Sequence, residues 1–168
     1  MENIAFFEEG IKVRCIKRGE TRMGLERVVE KLKKKCGDIS FIFCTDAYLH
    51  KLNEQYLSHD TYTDVITFDY TEKNVFDKPS AEGEQSSQYA GAKKRRMKSN
   101  VLSGDIFISV ERIKENAKIF NVKQADELIR VMIHGILHLA GYGDKTPAEA
   151  KKMREMEDRM MAHGFPTL

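Results

Sequence analysis

Hydrophobic and polar positions recur along the chain with two periods, one typical of strands and the other of helices. Alternating or strongly apolar runs predict four strands, at 11–16, 39–44, 65–70 and 101–109. Apolar positions three or four apart predict five helices, at about 22–36, 46–56, 110–120 and 123–140, and from 147 onward. We therefore expect an α+β fold in which a mixed sheet of about four strands is packed by about five helices.

Residues that start or stop helices support these boundaries. They are Gly37 after the first helix, Thr45 or Asp46 before the second, Ser109 before the third, and the capping box of Thr146 and Glu149, with Pro147 between them, before the last. The fourth helix is apolar on most sides towards its end, so it is predicted to be the central, buried helix.

The stretch 72–100 departs from both periods. It contains proline, glycine and serine with few apolar residues, and it includes a basic run, Lys93, Lys94, Arg95, Arg96 and Lys98. Such a composition buries too little apolar surface to offset the entropy of ordering, so we interpret it as a mobile loop within a single domain, 1–168. The basic run could contact phosphates, or it could simply be a solvated loop tip.

Bulk composition restricts the class of protein. The chain has 168 residues, of which 32% are charged and 41% hydrophobic, and a formal net charge of +2, so it is a globular protein rather than a polycation. Its N-terminus lacks the features of a signal peptide, and no run has the length of a membrane span. The three cysteines lack CxxC spacing. Cys15 and Cys44 fall in predicted strands and are interpreted as reduced packing residues, which favours a cytoplasmic protein.

Two histidines mark the predicted site. His134 and His138 are four apart in the apolar run of the fourth helix, so both imidazoles project from one face. Gly141 then allows the chain to turn, and Asp144 can supply a third ligand. A single histidine on an apolar helix is usually a hydrogen-bonded core residue, but a pair followed by a turn and a carboxylate is the ligand set of one divalent ion. We predict one Zn²⁺ held by His134, His138 and Asp144, with the two histidines as the catalytic candidates.

The pattern resembles the zincin motif His-Glu-x-x-His-x-x-Gly-x-x-His with two changes. Gly135 occupies the position of the glutamate that acts as general base, and Asp144 occupies that of the third histidine. Zinc with three protein ligands lowers the pKa of a bound water to about 7, which offers hydrolysis. Because Gly135 has no side chain, the motif argues against a peptidase. A phosphodiester is the better candidate substrate, since its cleavage depends mainly on charge stabilisation and positioning.

Three blocks of the sequence resemble the YbeY family of metal-dependent endoribonucleases, also called rRNA maturation factors. They are the histidine block His-Gly-Ile-Leu-His-Leu-Ala-Gly-Tyr at 134–142, Leu-Asn-Glu-Gln-Tyr at 52–56 with Thr-Asp-Val-Ile-Thr-Phe at 63–68, and Ser-Gly-Asp-Ile-Phe-Ile-Ser at 103–109. The resemblance implies a zincin-like fold, cleavage in ribosomal RNA maturation, and ribosomal RNA or a ribosomal subunit as partner, with no DNA and no membrane expected. It also marks 72–100 as an insertion.

The chain departs from that family's pattern at two positions. Asp144 matches the third histidine ligand, and Leu57 matches an arginine suited to bind phosphate. Arg130 or Lys145 could replace that arginine. Glu149 is near the site in sequence, but its capping role explains it equally well, and Asp64 and Asp105 are further candidates for a functional role.

Three functions remain open on the sequence alone. The first is a metal-dependent endoribonuclease that acts in ribosomal RNA maturation and ribosome biogenesis. The second is a non-catalytic ribosome assembly factor with a structural metal. The third is a metallohydrolase of another substrate, peptides included.

Overall fold

A four-stranded mixed sheet organises the structure, a computed structural model that describes residues 3–57, 63–71 and 100–167. In chain order the elements are β1 (Ile4–Glu9), α1 (Arg18–Lys31), β2 (Lys35–Cys44), α2 (Asp46–Leu57), β3 (Val65–Asp69), β4 (Val101–Ser109), α3 (Val110–Ile119), α4 (Gln124–Leu139) and α5 (Pro147–Gly164). The strand order is β1-β2-β4-β3. β1, β2 and β4 are parallel, and β3 is antiparallel to β4 at the edge. The predicted α+β class and mixed sheet are confirmed, whereas the zincin-like detail stays a prediction.

The two faces of the sheet are covered unequally because alternate residues of each strand point in opposite directions. Phe41, Phe43 and Ile106 belong to the main core with residues of α1, α3, α4 and α5, and all three are fully buried. On the opposite face, Ile66 packs with Leu49 of α2 in a smaller cluster. The large core therefore lies on the side of the sheet that carries α4.

Helix α4 is the central buried helix, as predicted. Its residues Leu128, Met132 and Ile136 are fully buried, and it contacts α1, α3, α5, β3 and β4. In the part of the chain that the structure describes, no helix is long and apolar enough to span a bilayer.

The predicted strand at 11–16 is wrong. The first strand is β1, and Gly10, with φ of 70°, ends it. Val13 is buried from an irregular segment, and its backbone N–H donates to the Glu8 carboxylate at 2.9 Å instead of to a neighbouring strand. The alternating pattern was therefore real, but it reflects packing of a loop on the core, and Cys15 lies in that loop.

The end of the first helix also differs from the prediction. α1 begins at Arg18 and ends at Lys31, and the chain turns at Lys33, with φ of 57°, instead of at Gly37, which we predicted to stop the helix. Gly37 instead lies inside β2, where a Cβ atom would come within 2.2 Å of the Ser103 hydroxyl of β4. That glycine permits a close approach of two strands rather than a helix stop.

The predicted caps of the later helices are confirmed. The Thr45 hydroxyl accepts from the backbone N–H of Tyr48, and the Ser109 hydroxyl accepts from that of Arg112. The predicted loop at 72–100 lies outside the described residues except for its last and exposed residue, Asn100, so it stays a prediction, as does the single domain.

All three cysteines are free thiols, as we predicted for Cys15 and Cys44. Burial raises the pKa of the Cys36 thiol to about 11 and that of the Cys44 thiol to about 12. Neither thiol is ionised near pH 7, so neither is a nucleophile.

Candidate metal centre

The candidate site lies at the C-terminal end of α4 and in the turn that follows. His134 and His138 are one helical turn apart, and their rings meet edge to face with centroids 4.5 Å apart. Helix α4 ends when Gly141 takes a φ of 94°, and its N–H donates to the carbonyl of His138. This turn brings Asp144 back to the histidines, just before Thr146 caps α5.

The three predicted ligands converge on one point. The two histidine Nε2 atoms are 2.9 Å apart, and the Asp144 Oδ2 is 3.5 Å from that of His134 and 3.4 Å from that of His138. Three ligand atoms placed tetrahedrally about Zn²⁺ at roughly 2.0–2.1 Å lie about 3.3–3.4 Å from one another. Both distances to Asp144 match this spacing, and the nitrogen pair is slightly closer. The donor set and its spacing therefore fit a divalent ion.

Hydrogen bonds at the other ring nitrogens orient both histidines. The His138 Nδ1 is 3.0 Å from the carbonyl oxygen of Tyr142, and the His134 Nδ1 is 2.7 Å from the Glu157 Oε1. A carbonyl and a carboxylate only accept, so both Nδ1 atoms carry protons and donate them. In the neutral rings the Nε2 lone pairs then face each other and Asp144. Two lone pairs 2.9 Å apart repel unless a proton or a metal ion lies between them. This ring orientation is the usual one in histidine metal sites.

The two histidines differ in proton affinity. Burial lowers the pKa of His134, but the hydrogen bond and charge of Glu157, with the charge of Asp144, outweigh it, so that the net pKa is raised. Burial and the neighbouring His134 lower the pKa of His138. A proton that competes with a metal ion is therefore held by His134.

Sequence reasoning missed Glu157. This glutamate lies on α5 and is buried, and its second oxygen accepts from Arg130 at 3.2 Å. A signal was present: Glu157 lies between the buried residues Met153 and Met160 at helical spacing, so a charged residue interrupts the apolar face of the helix. Such a position requires a buried partner.

Gly135 faces the sheet and not the ligand cluster. A Cβ atom there would lie 2.8 Å from Cγ2 and 2.9 Å from Cδ1 of Ile106, which is fully buried. Position 135 is therefore filled by strand β4, which leaves no space for a side chain and no general base at the zincin glutamate position.

The three other acidic residues considered for a functional role lie in different parts of the structure. Asp64 lines the same cleft as His134, where the Asn116 amide donates to it at 3.4 Å. Asp105 neighbours Ile106 on β4 and so points to the opposite face of the sheet. Glu149 completes the capping box with Thr146, which is the helix-capping role that the sequence predicted for it.

The two cations that could replace the family's arginine, Arg130 and Lys145, differ in their position relative to the cleft. Arg130 forms ion pairs with Glu157 and with Asp158, the latter at 2.8 Å, and it lines the cleft beside His134. Lys145 is exposed, and its backbone N–H donates to Glu149. Leu57, which matches the family arginine, is the last residue of α2.

A cleft of about 300 Å³ adjoins the ligand cluster. It runs from the cluster towards the corner between α3 and α4, and it is lined by residues of β3, α3, α4 and α5 and of the segments next to them: Asp64, Val65, Asn116, Phe120, Glu127, Arg130, Val131, His134, Asp144, Arg154 and Glu157. A substrate group of this size could therefore lie directly against two of the three candidate ligands.

Fold and site together define an α+β protein with three side chains that could hold a metal ion, two on its buried helix and one in the turn that follows. The profile of the family described as endoribonuclease YbeY matches residues 10–164. The chain therefore belongs to the YbeY family.

Named relatives agree with this assignment. The chain is 45% identical over 141 residues to endoribonuclease YbeY of Christiangramia forsetii, which covers 84% of this chain and 80% of the relative. It is 40% identical over 159 residues to that of Parabacteroides distasonis, which covers 95% and 94%. The solution structure of the protein TM1509 from Thermotoga maritima is similar in fold, with a TM-score of 0.58 and 26% identity over 97% of this chain and 89% of the other.

Proposed function

We propose that this protein is a metal-dependent endoribonuclease that cleaves ribosomal RNA during ribosome maturation in the cytoplasm. The observation that carries the proposal is the convergence of the His134, His138 and Asp144 ligand atoms, with both ring Nδ1 protons already engaged. Membership of the YbeY family supports RNA as the substrate.

The ligand set suits Zn²⁺, which accepts imidazole nitrogen and carboxylate oxygen at similar distances. When bound, such an ion would stabilise negative charge on a phosphoryl oxygen and activate water. Asp144 makes the site one charge unit less positive than three histidines would, so we expect weaker acidification of water than at a three-histidine site.

The chain's own residues supply orientation and exclude other chemistry. Glu157 and the Tyr142 carbonyl hold the protons at Nδ1 of the two rings, which keeps both Nε2 atoms directed at one point. The tight packing of Gly135 on Ile106 removes the position from which zincin peptidases take a proton. Phosphodiester cleavage needs charge stabilisation and positioning more than it needs that base, so the site favours RNA over peptide.

The test is cleavage of a structured ribosomal RNA fragment by wild type and His138→Ala, each with and without a chelator. We expect cleavage only by the wild type without chelator. The matched control is His163→Ala, which removes an exposed histidine in the last turn of α5, outside the site. It should cleave as the wild type does.

Each alternative outcome identifies a different function. Equal cleavage in all four reactions would mean a contaminating nuclease, and the enzymatic proposal would fail. Tight binding to a ribosomal subunit without cleavage would indicate an assembly factor with a structural metal. Degradation of casein that is lost in His138→Ala would indicate a peptidase-like hydrolase.

A further inference from the structure

The cleft beside the ligand cluster contains an exposed aromatic ring at its far end. Phe120 is the C-cap of α3 and is 58% exposed. Phe120 is one of the residues that line the cleft, whereas its neighbour Ile119, although 74% exposed, is not. Exposed apolar groups at the rim of a cleft mark binding sites more often than scattered ones do, and single-stranded nucleic acids stack their bases on such rings.

A second cleft residue supplies an uncompensated positive charge. Arg154 is exposed and lies one turn before Glu157 on α5, so it shares that helix face. Burial raises the pKa of Glu127, and the charge of Arg154 opposes that shift only weakly. The Arg154 guanidinium forms no hydrogen bond or ion pair with the residues that the structure describes. Arg130, by contrast, is already held by Glu157 and Asp158. Of these two arginines, Arg154 is the one available to a phosphate.

The remaining wall is acidic, and its charge fixes the direction in which a nucleotide would lie. Asp64 and Glu127 face the cleft between Phe120 and the ligand cluster, and Glu127 lies two helical turns before His134 on α4. Carboxylates repel phosphate but accept from the N–H groups of a base. A nucleotide would therefore direct its phosphate to Arg154 and the ligand cluster, and its base to Phe120 and the acidic wall.

We propose that this cleft binds the nucleotide next to the cleaved phosphodiester, with its base stacked on Phe120 and its phosphate paired with Arg154. The inference rests on the proposed endoribonuclease function and adds the position of the substrate. It places single-stranded RNA in the cleft, because a base paired in a duplex cannot reach Phe120.

Equilibrium binding of a fluorescent single-stranded RNA decamer to the full chain tests the stacking, with chelator present to prevent cleavage. Phe120→Ala and Phe120→Leu should each weaken binding about 5-fold to 160-fold, the range for loss of one stacked base. The matched control is Ile119→Ala, which removes a more exposed apolar side chain outside the cleft and should bind as the wild type does. Phe120 variants that bind within twofold of Ile119→Ala would overturn the stacking.

A tryptophan provides a readout that reports on position 120 itself. The chain contains no tryptophan, so Phe120→Trp introduces a single indole that still stacks. RNA should quench its fluorescence, while the indole of Ile119→Trp should be unaffected. Equal quenching of the two would refute a base at Phe120.

The salt dependence of binding tests Arg154. Arg154→Gln should reduce the slope of log affinity against log salt concentration by about 0.7, the value of one phosphate contact on a single strand. Arg159→Gln is the control, because Arg159 is exposed on the same helix but does not line the cleft. Equal slopes for the two variants would overturn the phosphate contact.

The two proposals fail in distinguishable ways. Wild-type protein that neither binds nor cuts RNA would refute the proposed function itself. Wild-type protein that cuts RNA in a chelator-sensitive manner, with Phe120 and Arg154 variants equal to their controls, would refute only the cleft assignment.

Discussion

Replacing Glu157 by glutamine should weaken metal binding without a ligand being touched. In the structure the Glu157 Oε1 accepts from the His134 Nδ1 at 2.7 Å, and the side chain is only 10% exposed. A buried hydrogen bond to a charged group contributes roughly 1.5–3 kcal/mol. Glutamine keeps the shape and an accepting oxygen but loses the charge, so only part of that energy should be lost.

The expected effect on the metal follows from this energy. Changing the partner of a ligating histidine typically costs 10-fold to 100-fold in metal affinity, or about 1.4–2.8 kcal/mol. We expect Glu157→Gln near the lower value and Glu157→Ala near the upper one, because alanine leaves the His134 Nδ1–H without an acceptor. Competition with a chromogenic chelator measures the Zn²⁺ dissociation constant, and thermal unfolding in chelator verifies that each variant is folded.

Asp158→Asn is the matched control for the same ion-pair network. Asp158 is adjacent to Glu157 and also pairs with Arg130, but it is 62% exposed. It should leave the Zn²⁺ affinity within about twofold of wild type. If folded Glu157→Gln protein binds Zn²⁺ as tightly as Asp158→Asn protein, Glu157 does not support the ligand and the reasoning is wrong.

Three further predictions concern the ligands and their helix. Asp144→Ala should weaken Zn²⁺ binding while Asp144→His should preserve or tighten it, and equal affinity in both and in wild type would make Asp144 a mere surface residue. Gly135→Ala should lower the free energy of unfolding by about 1–2 kcal/mol, as measured by denaturant unfolding. Alanine gains about 1 kcal/mol in helix propensity, but its Cβ atom would lie 2.8 Å from the buried Ile106, and the cost of this overpacking exceeds the gain. The control Gly19→Ala, with no atom within 4 Å, should stabilise instead, and the same sign in both would refute the packing argument. Zn²⁺ affinity should fall as the pH drops, and the fall should begin above pH 6.5, because the raised pKa of His134 lets a proton compete there; a titration with no change until well below that pH would contradict it.

The local sequence was sufficient to predict a feature wherever the residues that interact are close along the chain. The i,i+4 spacing of His134 and His138 and the turn at Gly141 are properties of one helix end, so the cluster with Asp144 could be predicted. The capping box at Thr146 was predictable for the same reason, since its partners are three residues apart. Period and composition also identified β4 and the buried character of α4.

Tertiary structure decided which of the predicted features act together. The alternation at 11–16 suits a strand, but whether a segment becomes a strand depends on a partner with free backbone groups, and β1 occupies that place beside β2. Glu157 reaches His134 from 23 residues away because α5 packs against α4, a contact that no local pattern encodes.

The cleft depends even more fully on the tertiary arrangement. Phe120 follows α3 and Arg154 belongs to α5, and they line one cleft with His134 only when α3 and α5 pack against α4. The reason is general: helical and strand periods report which side of an element is buried, whereas the partner that buries it is chosen by the packing of the whole chain. The sequence by itself thus predicted the three candidate ligands, and the tertiary structure determined the groups that orient them and the cleft beside them.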